Sequence, residues 1–391
     1  MPRREYPGER AVVIAGLDLN GLGVLRSLAP SGFRIVALDT DTRKPTAASR
    51  YGEKLKVPAL YGAGFVEALV GLRNRFTSNP VLILTQEASV ATISAARDAL
   101  AGLYRFTMPD HEVVEDLLDK FRFQNRAEQL AFPIPRIVRL EDASDARQAL
   151  QGLRFPCVMK PATKDLEYGR QFAKAYRVNS ADEALRLWDR MRVIVRTVAV
   201  QEWIEGDDSD VYFCLTYRGR DPRYSVSFAG RKLVQWPPLV GGTALCAPAG
   251  EEGREIIALT ERFFEEVTFT GLGSMEYKRN RRDGRFYMVE PTVCRTDYQE
   301  EIAALNGTNI PAAACHAEFG LEPQRSRETP PRFWRDPIGC ANSAKAGTSA
   351  PRALIAGRIS DAYFRWNDPA PYVALKLRAL RSRASRPVPS L

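Results

Sequence analysis

Two glutamates, Glu276 and Glu290, lie in the stretch GLGSMEYKRNRRDGRFYMVEPTVCRTDYQ, residues 271–299, whose pattern is that of a β-hairpin. Ser274 to Arg281 alternates in polarity, Arg282-Asp283-Gly284 has the chemistry of a turn with glycine placed for positive φ, and Arg285 to Glu290 returns. With those three residues as the loop, Arg281 faces Arg285, and counting back along both strands sets Glu276 opposite Glu290. Directly opposed side chains on an antiparallel pair sit about 5 Å apart, where two carboxylates repel. A cation between them removes the conflict, and Mg²⁺, which takes one or two carboxylates together with substrate phosphates, suits that position. The alternative is a solvated hairpin whose acids lean on Arg279 and Arg285.

Other residues carry a charge that asks for a partner. Phe155 to Pro161 is an apolar strand ending in Lys160, and a lysine at the end of a buried strand must have its charge met, by phosphate or by a carboxylate. Arg231 and Lys232 precede the Pro/Gly-rich segment Trp236 to Ala244, which must run as loop, and Arg295 follows Glu290 closely. A guanidinium binds a carboxylate through two parallel hydrogen bonds, so Arg231 or Arg295 suits an acid substrate and its tetrahedral intermediate. As the alternative, Arg231 and Lys232 are surface cations. Neither of the two histidines is flanked by a serine or cysteine that would make a nucleophile, and Cys294, the thiol nearest the hairpin acids, is expected to be buried and structural.

The elements that must position these groups begin with an open α/β unit. Ala11 to Ala15 is a short apolar strand, Gly16 to Gly23 leads into a helical pattern through Leu28, and Phe33 to Leu38 is a second buried strand ending in Asp39. Glycines between strand and helix with an acid after the next strand invite a dinucleotide reading, though the spacing is not GxGxxG. Val81 to Leu84 and Ala88 to Leu100 add a strand and a helix, with Arg50 and Glu87 as candidate substrate contacts or plain surface residues. After Pro109 come a helix capped by Asp110 with Lys120 near its end, a second helical segment from Arg122 to Leu130, and a break at Phe132-Pro133-Ile134-Pro135.

The order of these features is more specific than any one of them. Asp119-Lys120, the x-P-x-P connection, Val158-Met159-Lys160-Pro161, a strand from Phe172 to Val178 carrying Lys174, Val200 to Asp208, Gly271 to Lys278, and Met288-Val289-Glu290 follow one another as in an ATP-grasp protein. The chain resembles that superfamily over residues 10–320, and within it the carboxylate-amine ligase branch that includes D-aspartate ligase and carbamoyl-phosphate-synthase-like proteins. The resemblance implies an α/β and α+β architecture: an ATP-grasp fold preceded by an open parallel α/β domain over 1–108, a first subdomain over 109–195, a second with the metal site over 196–320, and a C-terminal appendage with a basic tail over 321–391. It implies that Lys120, Lys160 and Lys174 hold ATP phosphates, that backbone groups of Glu202, Trp203 and Ile204 receive adenine with Gln201 beside its amino group, and that Asp208 binds ribose. Glu276 and Glu290 would bridge Mg²⁺. Thr292 stands where many members carry a metal-binding asparagine, and the phosphate-covering loop, Thr163 to Gln171, is poor in glycine.

The expected activity is an ATP- and Mg²⁺-dependent ligase that activates a carboxylate as an acyl phosphate and joins it to an amine, with an amino-acid-like substrate. The alternatives are a nucleotide-binding scaffold or sensor without turnover, motivated by Thr292 and the loop, and an NAD oxidoreductase. Whole-chain properties bound these readings. Of the net charge of +9, five positive charges lie in the last sixteen residues with no acid among them, leaving only +4 elsewhere. Nucleic acid is therefore not an expected partner, and the tail is expected to be solvated. No apolar run spans a bilayer and MPRREYPGER lacks a signal-peptide core, so a cytoplasmic protein is expected. Six scattered cysteines without CxxC spacing and two histidines indicate neither disulfides nor zinc. The expected partners are small carboxylates and amines, with a homo-oligomer left open.

Overall fold

The computed structural model describes residues 10–142, 144–162, 166–173, 175–348 and 358–384. Three sheets organise them. The first is parallel, in the order β3-β2-β1-β4, from β1 (Ala11–Ala15), β2 (Arg34–Asp39), β3 (Glu53–Lys56) and β4 (Val81–Leu84). β1 is apolar throughout and wholly buried, as a central parallel strand covered on both faces must be. The glycines that follow it serve the protein's own packing. A Cβ on Gly16, at φ +106°, would stand 2.2 Å from the Thr85 hydroxyl, and one on Gly21 would stand 2.0 Å from the Gly16 carbonyl oxygen. Asp39 accepts from the Leu17 N–H at 2.8 Å and the Asp41 N–H at 2.9 Å and pairs with Lys44 at 3.0 Å. The acid that invited a dinucleotide is thus spent inside the fold.

The second sheet is antiparallel, in the order β5-β8-β6-β7, from β5 (Ile137–Leu140), β6 (Cys157–Pro161), β7 (Tyr176–Val178) and β8 (Val198–Glu202). Helix Ala181–Met191 closes one face with Ala184, Trp188 and Met191, and the Ser180 hydroxyl caps it by accepting from the Glu183 N–H. Because β8 lies between β5 and β6, this unit runs to Glu202, past the division drawn at 195/196. β7 is shorter than the strand expected from Phe172, and Lys174 lies outside the described residues, as does Thr163 to Asp165 of the phosphate-covering loop.

The third sheet has seven strands: β9 (Val211–Arg218), β10 (Val226–Trp236), β11 (Gly242–Pro248), β12 (Gly271–Arg279), β13 (Phe286–Val293), β14 (Arg332–Arg335) and β15 (Arg358–Asp361), ordered β13-β12-β9-β10-β11-β14-β15. Helix Gly253–Glu266 buries Ile256, Thr260, Phe263 and Phe264 against it. β14 and β15 make the C-terminal segment the edge of the main sheet, with more than an appendage's attachment. In β12–β13 the expected register is reached by an unexpected route. The loop is Arg281–Gly284, one residue longer than anticipated, and Arg279 pairs with Phe286 and Tyr277 with Met288. A bulge at Val289 then shifts the register back, and Glu276 pairs with Glu290.

The C-terminal segment is fastened to the first sheet by a buried carboxylate. Asp368 pairs with Arg26 Nε at 3.0 Å and accepts from the Ser49 hydroxyl at 2.8 Å and the Arg50 N–H at 2.9 Å. Burial opposes its charge, but these three donors outweigh it and hold Asp368 below its ordinary range. Arg50, a candidate substrate contact, is turned to this junction instead. No helix among the described residues is long and apolar enough to cross a membrane. Asp368→Ala leaves the Arg26 guanidinium buried without its counter-charge and is expected to cost about 3–5 kcal/mol in urea unfolding. An unchanged midpoint would remove this pair from the account of the junction.

Candidate functional site

The second and third sheets face one another across a cavity of about 300 Å³. Lys160 reaches it from the end of β6, and Lys120 from the first turn of helix Lys120–Gln129. That helix begins where it does because Asp119 accepts from the N–H groups of Phe121 and Arg122, both at 2.9 Å. The cap expected at Asp110 makes no side-chain bond. Lys120 Nζ donates to the Ala162 carbonyl at 2.7 Å, which ties the helix to the strand that carries Lys160. Glu87 lies in a smaller cavity behind, together with Lys120, Lys160, Gln201 and Glu290.

Gln201, Glu202, Trp203 and Ile204 form one wall. The Glu202 N–H is spent on the Arg136 carbonyl at 2.9 Å and the Trp203 N–H on the Pro156 carbonyl at 3.0 Å, so of these three residues only Ile204 has an N–H without a backbone partner among the described residues. The Glu202 carboxylate points away, to Arg154. Lys278, only 7% exposed, holds its Nζ 4.3 Å from the centroid of the Trp203 ring. Burial lowers the pKa of this ammonium, and Asp210, Asp208, Asp207 and Glu205 oppose the shift.

On the opposite wall, Glu276 and Glu290 open into the same cavity and so share a face of their sheet. Lys232, 4% exposed on β10, crosses β9 to pair with Glu276. Val211 on β9 lines the same cavity. The irregular register of β10 around Leu233 puts both Lys232 and Gln235 on the cavity side, three residues apart where strict alternation would allow two or four.

Three expected residues stand elsewhere. Arg231, the other half of the cation pair, faces away, its Nε bonded to the Ser209 carbonyl and its guanidinium over the Tyr212 ring. Neighbours on a strand point to opposite faces, so at most one of Arg231 and Lys232 belonged in the site. Asp208 is buried and accepts from the Gln235 N–H at 2.8 Å, the Gln235 side chain at 3.1 Å and the Leu239 N–H at 2.7 Å. It holds the loop that lines the cavity and does not itself line it. Thr292 is buried opposite Ser274, and the polar group that lines the cavity near it is Asp297, which accepts from the Ser274 hydroxyl at 2.9 Å.

Arg295 lies in a second, open cavity of about 480 Å³ that adjoins the first through Tyr298, a residue lining both. Its loop is pinned by Thr296, whose N–H donates to the Leu84 carbonyl at 3.1 Å and whose hydroxyl donates to Asn20 at 2.7 Å. Arg295 Nη1 donates to the Thr296 carbonyl at 3.0 Å, while its buried Nε has no partner among the described residues. A buried N–H left unpaired is costly, and a ligand carboxylate would supply the missing acceptor. Cys294 next to it is buried, and burial pushes its thiol up, as expected of a structural cysteine.

Lys278 is a cavity residue that the sequence did not single out, and Lys232 stood out there only as half of a cation pair. Lys278 carried a signal: it is two residues from Glu276 on one strand and therefore shares its face. Lys232 carried none that separates it from Arg231.

No protein-family model matches the chain. The chain is similar to the D-aspartate ligase of Enterococcus faecium (strain Aus0004), with 23% identity over 317 residues that cover 76% of this chain and 74% of the ligase. Among solved structures, the ADP complex of an N5-carboxyaminoimidazole ribonucleotide synthetase superposes with a TM-score of 0.65 at 14% identity, covering 85% of this chain and 82% of the other. The biotin carboxylase domain of Hydrogenobacter thermophilus 2-oxoglutarate carboxylase, in complex with MgADP, ADP and bicarbonate, gives 0.64 at 14% identity, covering 82% and 73%.

Glu300 supports the Arg295 loop by accepting from the Asp297 N–H at 2.9 Å, and complete burial pushes its carboxyl up to about 8 from 4.5. The folded protein therefore keeps a proton there that the unfolded chain has lost, so wild-type stability is expected to fall as pH rises from about 4.5 to about 8 and then level. Glu300→Gln, which cannot ionise, is expected to flatten that part of the curve. Chemical denaturation at pH 5, 7 and 9 checks this, and parallel curves for the two proteins would contradict it.

Proposed function

We propose that this chain, a member of the ATP-grasp superfamily, is an ATP- and Mg²⁺-dependent carboxylate-amine ligase that acts on an amino-acid-like substrate. The observation that carries the reading is the pair Glu276 and Glu290, facing one another into a cavity that also receives Lys120, Lys160 and Lys232. The donor set fits a nucleotide-borne Mg²⁺. Two opposed carboxylates are the number such an ion takes when phosphates complete its shell, and no cluster of three or more His, Cys, Asp or Glu among the described residues forms a free-standing metal site. When bound, Mg²⁺ would supply charge neutralisation at the phosphates.

The chain's own residues have distinct tasks in this reading. Lys120, Lys160 and Lys232 hold the triphosphate and spread the charge of the transferring phosphoryl group, which is most of what such a transfer requires. The base lies between Gln201, the Ile204 N–H and the Trp203–Lys278 stack. Arg295 presents the acid, whose carboxylate oxygen attacks the γ-phosphorus as the bond to ADP breaks. The amine then attacks the acyl carbon of that acyl phosphate, phosphate leaves, and the amine's proton passes to solvent or to phosphate. Arg295 also faces the negative charge that develops on the acyl oxygen. The Glu276–Lys232 pair holds the empty cavity together, and Lys232 moves from carboxylate to phosphate when nucleotide and metal enter. A nucleotide-binding protein without turnover is the second reading, favoured by the burial of Thr292 outside the cavity, which leaves the second-metal position without its usual ligand.

The test is an ADP-release screen against amino acids and simple carboxylates, with mass spectrometry of the product. Glu290→Gln is expected to lower turnover by roughly two orders of magnitude or more, with thermal unfolding unchanged. Full activity in that variant would detach the hairpin acids from catalysis. Arg295→Ala is expected to raise KM for the acid or lower kcat while KM for ATP stays put; identical kinetics would take Arg295 out of the mechanism. Because the acids need phosphates to complete the shell, Mg²⁺ titrated calorimetrically is expected to bind only with a nucleotide present, and tight binding to the protein alone would count against a nucleotide-borne ion.

A further inference from the structure

The second cavity is built from both ends of the chain. Asp18, Leu19 and Asn20 come from the turn after β1, Lys44 to Thr46 from the turn after β2, Arg295 and Tyr298 from the loop after β13, and Tyr363 and Arg378 from the C-terminal segment. That last contribution is tied to the first sheet, although Arg378 itself is exposed. Arg26, which pairs with Asp368, also donates to the Ala362 and Tyr363 carbonyls at 2.6 and 2.8 Å, and helix Ala370–Ala384 packs on the Pro45–Ala48 turn. Arg365 adds a second tie, to the buried Glu301 at 2.8 Å.

The charges in this cavity are unevenly matched. Asp18 is met by Lys44 at 2.8 Å, and Lys44 is shared with the buried Asp39, so Lys44 has no positive charge to spare. Arg295 and Arg378 remain. Among the described residues neither is joined to a carboxylate in an ion pair, although Asp41, itself paired with Arg43, feels Arg378 as well, and Arg295 acts on the buried Glu300; Arg295 also carries the unpartnered buried Nε. Tyr363 adds a hydroxyl that burial keeps protonated, its pKa pushed up to about 12, and hence available as a donor. Two guanidiniums and a phenol around one open cavity of about 480 Å³ form an anion-binding set with room for two acid groups, one of them on the side that adjoins the first cavity.

We infer that the C-terminal segment is a selecting wall of the acid site, where Arg378 and Tyr363 receive a second anionic group of a small acid whose reacting carboxylate lies on Arg295. The inference rests on the ligase reading for placing the reacting carboxylate on Arg295; the second anionic subsite rests on the cavity's own residues. Carboxylate and phosphate are both served by this chemistry.

Calorimetry in the presence of Mg²⁺ and a non-hydrolysable ATP analogue tests it with aspartate, glutamate and O-phosphoserine, each as both enantiomers, against alanine and glycine. At least one of the doubly acidic ligands is expected to bind roughly tenfold or more tightly than alanine, the effect of one charge-assisted contact. Phosphoserine leading the series would assign the second group as phosphate, and aspartate or glutamate leading would assign it as carboxylate. Arg378→Gln is expected to remove the preference while nucleotide affinity and thermal unfolding stay as in the wild type, and Arg381→Gln, on the same helix but outside the cavity lining, is expected to keep it. Equal binding of alanine, an unchanged preference in Arg378→Gln, or no binding of any of these acids would each overturn the inference. Absence of ADP release from an acid that does bind would instead count against the ligase reading and leave this one standing.

Discussion

Two carboxylates held face to face on neighbouring strands are the constraint around which this protein is arranged. Glu276 and Glu290 repel at that spacing, and the sheet tolerates them because Lys232 reaches across β9 to one and because Lys120 and Lys160 enter from the opposite wall. A cavity of this kind is stable without ligand only if its own charges compensate one another, and it binds a charged ligand only if they can be re-partnered. A lysine is suited to that exchange, since its flexible stem lets one ammonium serve a carboxylate first and a phosphate afterwards.

The irregularities of the fold collect around that constraint. The bulge at Val289 restores the acids to register, and the break in register near Leu233 turns Lys232 and Gln235 inward. Regular strands would have placed one of each pair on the wrong face, because a shift of one residue reverses every side chain. Asp208, spent on the backbone of Gln235 and Leu239, fixes the loop beyond the second irregularity.

The junctions between sheets are made by buried polar groups, whose demand for partners fixes geometry more narrowly than apolar packing does. Asn20 donates to the carbonyls of Thr85 and Thr296, joining the first sheet to the loop that carries Arg295. Asp368 and Glu301 receive Arg26 and Arg365 and bring the C-terminal segment over the same loop. The loop that carries Arg295 is thereby braced from three directions, although those contacts come from residues as far apart in the chain as Asn20 and Arg365.

The sequence by itself determined the local and the ordered: β1 and β4 as short apolar strands, a hairpin bearing Glu276 and Glu290, Lys160 at the end of a buried strand, and a succession of motifs that resembles that of ATP-grasp proteins. These are legible because strand alternation, turn chemistry and motif order are properties of neighbouring residues. Only the tertiary structure decided that Lys232 and not Arg231 enters the cavity, that Asp39 and Asp208 are consumed within the fold, that the hairpin reaches its register through a longer loop and a bulge, and that Arg378 from the basic tail stands in the wall of a cavity with Arg295. Each of these turns on which donor meets which acceptor across hundreds of residues, and a charged side chain carries no mark in the sequence that says whether its partner will be solvent, the fold itself or a ligand.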